Sequence, residues 1–240
     1  MAIHVHISPA EALYLRDPQA TDLGREIIAS GIGMLDDLGL ERLTFRKLAA
    51  EVGCTEASIY RYFRSKHQLL IYLVSWYWDW VHYLIQRAAG DMADPVDKLR
   101  AAVRALTKPM VANPAVPYID ERLLHRVVLT EGTKAYHSKT TDQHNRDGVF
   151  LPYKQLVETL AGLILAVDAG FPYPRTLASS LFEMAHNHVY FAEHLPRLTD
   201  LTDDAPTAPQ LDEMLTTWID RLLSLRTAPA NSADVAGVTS

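Results

Sequence analysis

Cysteine is nearly absent from this chain of 240 residues, which contains only Cys54. A single thiol cannot form an internal disulfide, so the fold must depend on an apolar core, and 48% of the residues are hydrophobic. Residues 1–8 have neither a cationic start nor an apolar stretch, so we expect no signal peptide and a cytoplasmic protein.

Long apolar runs are also missing. The most apolar stretch, Leu69 to Ile85, is interrupted by Ser75, Asp79 and His82, so it predicts a core or pocket helix rather than a membrane span. The sequence has no strand pattern, no glycine-rich phosphate loop and no internal repeat. The lack of a strand pattern favours an all-α fold.

Positive charge is scarce over the whole chain, whose net charge of −6 argues by itself against a nucleic-acid binder. The segment from Arg42 to Lys66 is different, because six basic residues face only Glu51 and Glu56 there, a net charge of +4. Contacts with phosphates need such a local cationic surface, while an acidic body discourages indiscriminate binding.

Two short helices joined by a tight turn are predicted inside this cationic segment, at residues 45–52 and 55–63. Leu48, Ala49 and Val52 form one apolar stripe, and Ile59, Tyr62 and Phe63 form the matching one. Steeply crossed helices need a small residue where their backbones approach and a residue tolerant of positive φ at the corner. Ala49 and Gly53 occupy those places, which indicates a helix-turn-helix.

The outer face of the second helix combines small, polar and cationic residues. With Ile59 inward, a rotation of about 100° per residue places Ala57, Ser58, Tyr60, Arg61 and Arg64 outward. Small residues allow close approach to base edges, Arg donates two hydrogen bonds to guanine, and Ser bonds several edges. The alternative is an ordinary solvated helix face.

The stretch IYRYF followed by SK resembles the DNA-binding domain of TetR-family transcriptional regulators, over about residues 21–70. The resemblance implies a first helix from Thr21 to Leu38 ended by Gly39, and phosphate contacts from Thr44, Tyr60 and Lys66. The complete set of candidate DNA contacts is Thr44, Arg46, Lys47, Thr55, Glu56, Ala57, Ser58, Tyr60, Arg61, Arg64 and Lys66.

The resemblance also implies the domain order. We expect an N-terminal extension (1–20), a three-helix DNA-binding domain with the helix-turn-helix (21–65), a larger helical ligand-binding and dimerisation domain (66–226) and a disordered tail (227–240). Ser8, Pro9 and Glu11 predict a short capped helix in the extension, whose role is open; an arm into the minor groove is one alternative. Further helices are predicted at 66–89, 96–111, 119–129, 152–169, 174–195 and 209–225, with a break at 132–148.

Aromatic residues are dense in the helix after Ser65. Core packing explains such a run, but the walls of a ligand cavity are also mostly apolar, with a few polar groups that orient the ligand. The resemblance raises this second interpretation. The candidate ligand contacts are Trp76, Trp80, Tyr83, His125, Arg126, His186, Asn187 and Tyr190.

The last two predicted helices have wide apolar faces and, as the resemblance implies, would form a four-helix bundle between two chains. The alternative is that they close the core of one protomer. The candidate interface residues are Leu181, Met184, His188, Phe191, Leu215, Trp218 and Leu222.

The sequence therefore predicts a non-enzymatic, homodimeric DNA-binding regulator without a cofactor. Its partners would be double-stranded DNA with a near-palindromic operator and an unidentified small molecule, and such regulators are most often repressors. Two alternatives remain open. Glu183 and His186 form a Glu-x-x-His as in di-iron bundle enzymes, although no second copy is found, and a protein-interaction adaptor could keep the fold without binding DNA.

Overall fold

The computed structural model describes residues 7, 9–90, 92–107, 116–137, 139–202 and 207–224. These ranges contain helices and turns and no strand, which confirms the prediction of an all-α fold. The α-helices are α1 (Asp22–Arg42), α2 (Phe45–Val52), α3 (Glu56–Tyr60), α4 (Lys66–Ala89), α5 (Pro95–Ala105), α6 (Glu121–Glu131), α7 (Thr133–Tyr136), α8 (Thr141–Arg146), α9 (Leu151–Val167), α10 (Pro174–His194) and α11 (Thr207–Leu222).

Helix α1 begins as the sequence predicts but does not end at Gly39. The Thr21 side chain accepts a hydrogen bond from Gly24 N and so caps the first turn. Gly39 has a φ of +71°, a value that favours glycine, and this non-helical residue kinks the helix. One further helical turn then runs to Arg42. The predicted stop is therefore a kink.

The helix-turn-helix has the predicted corner. Gly53 ends α2 in the left-handed region (φ +74°, ψ +30°), and Cys54 N donates to Ala49 O over 2.9 Å. Helix α3 is shorter than predicted, because Tyr62 N and Phe63 N both bond to Ile59 O in a tight turn. Ile59, Tyr62 and Phe63 are nevertheless all buried, so the apolar stripe is correct even though the helix is shorter.

Helix α4 is the central element of the molecule. Every residue from Leu69 to Trp78 is buried, and the helix packs against α1, α5, α6, α7 and α9. The Ser65 hydroxyl caps it by accepting from Gln68 N. None of the described helices combines the length and apolarity needed to cross a bilayer.

The N-terminal extension is docked on this core as two 3-10 helices, Glu11–Leu13 and Pro18–Ala20, and not as the single capped helix that was predicted. Ser8 lies outside the described residues. Leu15 N donates to Tyr62 O, and Gln68 Nε2 donates to Ala12 O. The extension thus packs directly against the turn that follows α3.

The larger domain consists of α4 to α11. Helices α9 and α10 end within two residues of their predicted ends, whereas the predicted break at 132–148 contains the short helices α7 and α8. The ends predicted for the helices at 96–111 and 209–225 and the tail at 227–240 reach beyond the described residues. Arg100 and Asp220 join α5 to α11 through two hydrogen bonds of 3.0 and 2.8 Å.

A substitution at the helix-turn-helix corner tests the backbone argument. Gly53→Ala is expected to lower the free energy of unfolding by about 1–2 kcal/mol, because a Cβ is strained at positive φ. Gly33→Ala is the matched control: Gly33 lies within α1 and has open space where a methyl group would be added, so alanine should leave stability unchanged or raise it by roughly 0.5–1 kcal/mol. Urea denaturation measures both, and equal effects of the two substitutions would contradict the corner's role.

Candidate nucleic-acid interface and effector chamber

The outer face of α3 is accessible along its length. Ala57, Tyr60 and Arg61 are exposed, Ser58 is half-buried, and Ile59 on the opposite side is fully buried. Tyr60 is held over α2 by an edge contact with Phe45, with the ring centroids 5.0 Å apart. This arrangement leaves small and cationic groups outward on a helix that is anchored from beneath.

Cationic side chains flank this face. Arg46, Arg61 and Arg64 are exposed, and within the described ranges their guanidinium groups make neither an ion pair nor a hydrogen bond. Lys47 Nζ donates to Arg42 O over 2.9 Å, so it is partly engaged at the end of α1. Unpaired surface guanidiniums remain free to contact phosphates or base edges.

Two hydroxyls predicted to meet DNA also cap helices. Thr44 Oγ1 accepts from Lys47 N at the start of α2, and Thr55 Oγ1 accepts from Ser58 N at the start of α3. Thr55 Oγ1 also lies 2.8 Å from Ser58 Oγ. Both threonines are exposed, whereas Glu56 is half-buried. Capping leaves the Thr44 proton available for contact with DNA, whereas the Thr55 proton is available only when Ser58 donates the hydrogen bond between the two hydroxyls.

Lys66 has a structural contact that the sequence did not reveal. Its Nζ donates to Leu40 O over 2.7 Å and to Glu41 O over 2.9 Å, so the ammonium caps the C-terminal turn of α1. Of its three donors, one remains for the predicted phosphate contact. Lys66 therefore ties α4 to α1 whether or not it touches DNA.

A buried polar cluster joins three helices of the larger domain. The Tyr77 hydroxyl on α4 lies 2.8 Å from His125 Nδ1 on α6 and 2.9 Å from His186 Nε2 on α10. His186 Nδ1 lies 2.6 Å from Phe182 O. Burial lowers the pKa of His125 to about 3 and also lowers the pKa of His186, while it raises the pKa of Tyr77. All three groups are therefore neutral near pH 7.

Tyr77 is the member of this cluster that was not among the candidate contacts chosen from the sequence. It belongs to the predicted aromatic run, but its partners lie 48 and 109 residues away in the sequence. Among the other aromatic candidates, Trp76 and Trp80 are fully buried and stacked at 5.8 Å, and Tyr83 stacks on Trp80 at 5.5 Å. The three rings form one ladder along α4.

Three predicted chamber residues lie elsewhere. Arg126 is exposed and makes a two-pronged ion pair with Asp36 on α1, in which Nε lies 2.8 Å from Oδ1. Asn187 is exposed, and Tyr190 packs against His194 near the end of α10, with centroids 4.5 Å apart. These three residues therefore lie outside the buried cluster of His125 and His186, because side-chain chemistry alone does not show which face of a helix is inward.

The Glu-x-x-His pair on α10 does not converge on a common point. Glu183 Oε1 accepts from the Tyr153 hydroxyl over 2.7 Å, whereas both nitrogens of His186 bond to Phe182 and Tyr77. In the described part of the chain, no group of three His, Cys, Asp or Glu side chains is placed to hold a metal ion. The geometry gives the di-iron alternative no support.

The dimer candidates divide into two sets. Leu181 and Leu215 are 0% exposed in the protomer, so the structure contradicts their assignment to an interface; they fill the core between neighbouring helices. Leu222 is 56% exposed, and Met184, His188, Phe191 and Trp218 are half-buried. The His188 ring contacts those of Phe191 and Trp218 at 5.7 and 5.6 Å, which makes one surface across α10 and α11.

Comparison with known proteins bears on the N-terminal part first. The sequence model described as "Bacterial regulatory proteins, tetR family" matches residues 27–73. Nucleoid occlusion factor SlmA of Photobacterium profundum is 32% identical over 100 residues, which cover 41% of this chain and 51% of that protein. The chain thus spans about half the length of this curated relative.

Solved structures extend the likeness to most of the chain. The fatty acid degradation regulator FadR from Bacillus halodurans has a TM-score of 0.60 at 18% identity, covering 87% of this chain and 98% of that one. AibR in complex with isovaleryl coenzyme A and operator DNA has a TM-score of 0.57 at 18% identity, covering 81% and 97%. Identities this low establish the fold alone. The resemblance to TetR-family regulators is thereby confirmed: the chain carries the family's N-terminal module within an all-helical fold that solved regulators share.

Proposed function

We propose that this chain is a homodimeric, cytoplasmic transcriptional repressor that binds a near-palindromic operator and releases it when a small molecule occupies the larger helical domain. The observation that carries the proposal is the outer face of α3, where Ala57, Tyr60 and Arg61 are exposed above a fully buried Ile59. That combination suits a helix that enters a major groove while its other side stays packed.

Charge supports binding to DNA rather than a purely structural role for the fold. The net charge of +4 from Arg42 to Lys66 stands against −6 for the whole chain. Neutralising phosphates releases counterions and gives a steep dependence on salt. A protein-interaction adaptor would have no need of three guanidinium groups around α3 that have no partner among the described residues. DNA that is not retarded at moderate salt would favour the adaptor.

Arg61 and Lys66 are expected to behave differently when replaced. Arg61→Ala should weaken operator binding by about 1–3 kcal/mol and relax base preference, because Arg61 would read a base edge. Lys66→Ala should weaken all sequences similarly and flatten the salt slope. It should also destabilise the fold by about 1 kcal/mol, since two carbonyls of α1 lose their donor.

Gel-shift titrations at several salt concentrations, on operator and scrambled duplexes, separate these effects. Arg87→Ala serves as the control, because Arg87 is an exposed residue in the last turn of α4, far along the helix from Lys66. An equal loss on every duplex for both Arg61→Ala and Lys66→Ala would contradict the assigned roles.

Dimerisation would use the surface of Met184, His188, Phe191, Trp218 and Leu222. These residues are half-buried or exposed in the protomer and lie on neighbouring helices that pack together, α10 and α11. Two copies of such a surface related by a two-fold axis make a four-helix bundle. The dimer would then hold two α3 helices about 34 Å apart, at successive major grooves.

A charged substitution tests this surface. Leu222→Glu is expected to weaken dimerisation at least about tenfold, because the interface would have to bury a carboxylate without a partner. Leu151→Glu is the matched control, since Leu151 is 53% exposed on α9, a helix outside the proposed interface, against 56% for Leu222. Analytical ultracentrifugation measures both, and a Leu222→Glu protein as dimeric as the control would rule out this interface.

Release by a ligand needs a path from the larger domain to α3, and α6 supplies it. Helix α6 packs extensively on α1, and its Arg126 donates two hydrogen bonds to the Asp36 carboxylate. At the other end of the same face, the Gly39 kink of α1 lies against the Glu131 side chain. A ligand that moves α6 would therefore move the DNA-binding helices, and a coupling of about 1–3 kcal/mol would lower DNA affinity roughly 5- to 150-fold.

The Asp36–Arg126 pair should stabilise the junction measurably. A double-mutant cycle with Asp36→Ala and Arg126→Ala is expected to give a coupling energy of about 1 kcal/mol, above the median for surface pairs, because the pair is two-pronged and Asp36 is mostly buried. The exposed Arg175–Glu158 pair between α10 and α9 is the control and should show little coupling. Chemical denaturation supplies the four free energies, and no difference between the two cycles would contradict the junction.

AibR shows that this fold can accommodate both kinds of partner in one complex. That protein has been solved with isovaleryl coenzyme A and operator DNA bound together. For the present chain, the buried cluster of Tyr77, His125 and His186 supplies polar groups inside an aromatic core, which are the groups that an effector site in the larger domain would use to orient its ligand.

A further inference from the structure

The protons of the buried cluster can be placed by following its hydrogen bonds. Phe182 O only accepts, and His186 Nδ1 lies 2.6 Å from it, so Nδ1 must carry a proton. Because full burial lowers the pKa of His186, the ring is neutral and carries no second proton. His186 Nε2 is therefore an acceptor.

The next two groups then have only one arrangement. The Tyr77 hydroxyl, 2.9 Å from His186 Nε2, must donate its single proton there. Its oxygen can only accept from His125 Nδ1, which lies 2.8 Å away. His125 thus carries its proton on Nδ1, and its Nε2 has an unshared lone pair.

His125 Nε2 is an acceptor without a donor. The atom is buried, the His125 residue is 4% exposed, and no hydrogen-bonding group of the described residues reaches Nε2. With a pKa of about 3, the ring does not become a donor by protonation near pH 7. A buried acceptor in an apolar setting gains strongly from a donor and is repelled by another lone pair.

We propose that His125 Nε2 is the point at which the larger domain recognises its effector, and that it takes a hydroxyl or N–H donor on an otherwise apolar small molecule. Carboxylate, ester and thioester oxygens, which only accept, are disfavoured at this atom. Aromatic rings border this atom's cluster, since the Phe182 ring lies 4.3 Å from the His186 ring and the Tyr77 and His125 rings lie 5.9 Å apart, and such rings would present apolar faces to a ligand.

The position of His125 gives such a contact a direct consequence. The neighbouring residue, Arg126, donates a hydrogen bond to Asp36 on α1. One turn of α6 would therefore contact the ligand through His125 on one side and the DNA-binding helices through Arg126 on the other. This inference rests on the proposed function, because it names the chemistry of the same effector.

The tautomer can be observed without any ligand. In the full-length protein labelled with nitrogen-15 histidine, long-range nitrogen–proton spectra should show His125 neutral, protonated at Nδ1 and unprotonated at Nε2. Signals are assigned with His125→Phe, which removes the acceptor and keeps a ring. A proton on Nε2 of His125 would overturn the inference at once.

Matched probes then test the donor. The phenol 4-ethylphenol and the alcohol 1-octanol are each compared with their methyl ethers, which keep the apolar body and lose the O–H, and with octanoate. At least one donor-bearing probe should shift the His125 Nε2 resonance and bind about tenfold or more tightly than its ether, and His125→Phe should abolish the difference. His137→Phe, at an exposed histidine, should leave it unchanged.

The proposed hydrogen bond from the ligand to His125 is refuted if neither hydroxyl probe shifts the His125 resonance up to millimolar concentration. It is also refuted if the hydroxyl compounds and their methyl ethers bind equally. Gel shifts in the absence of any probe distinguish a failure of this effector chemistry from a failure of the proposed function. DNA binding by the wild type and by His125→Phe together with a failed probe series would refute only the effector chemistry. A correct tautomer and probe preference in a protein that binds no DNA would refute only the regulator.

Discussion

Helix α4 runs through one continuous apolar core that helices α1 to α3 share with the larger domain, and the position of α3 depends on this sharing. Near its start, Leu69 packs against Gly31 of α1, and Tyr72 contacts the Phe63 ring at 5.3 Å. Further along, Trp78 stacks on Tyr153 of α9 at 4.9 Å. Because cores are close-packed, α3 cannot shift without disturbing a helix that also shapes the interior of the larger domain.

The same close packing explains why single hydrogen bonds between helices α1 to α3 and their neighbours affect the position of α3. Lys66, in the first turn of α4, caps the C-terminal turn of α1. The docked N-terminal extension covers the turn after α3. The Tyr118 hydroxyl, just before α6, donates to Gln19 in that extension over 2.8 Å. Helices α1 to α3 are thus held from α4, from α6 and from the N-terminal side. A two-state response is physically reasonable in such a frame, since packed interfaces switch between arrangements rather than deform smoothly.

The sequence predicted what local patterns determine and missed what depends on distant partners. The corner at Gly53 and the inward position of Ile59 follow from the spacing of apolar residues within one or two turns. The partnership of Arg126 with Asp36 spans 90 residues, and that of Tyr77 with His186 spans 109, so neither has a local signal. The errors at Leu181 and Leu215 have a related cause: an apolar stripe shows that a face is covered, but not whether its cover belongs to the same chain.

Two copies of α3, anchored by their buried faces, are expected to enter one duplex from the same side. Hydroxyl-radical footprinting on DNA flanking the gene of this protein, with the full-length chain, measures this directly. Two protected patches are expected, related by a dyad and about 10 base pairs apart on one face of the duplex. A single unphased patch, or no protection at moderate salt, would contradict the assignment of α3 as the recognition helix of a dimer.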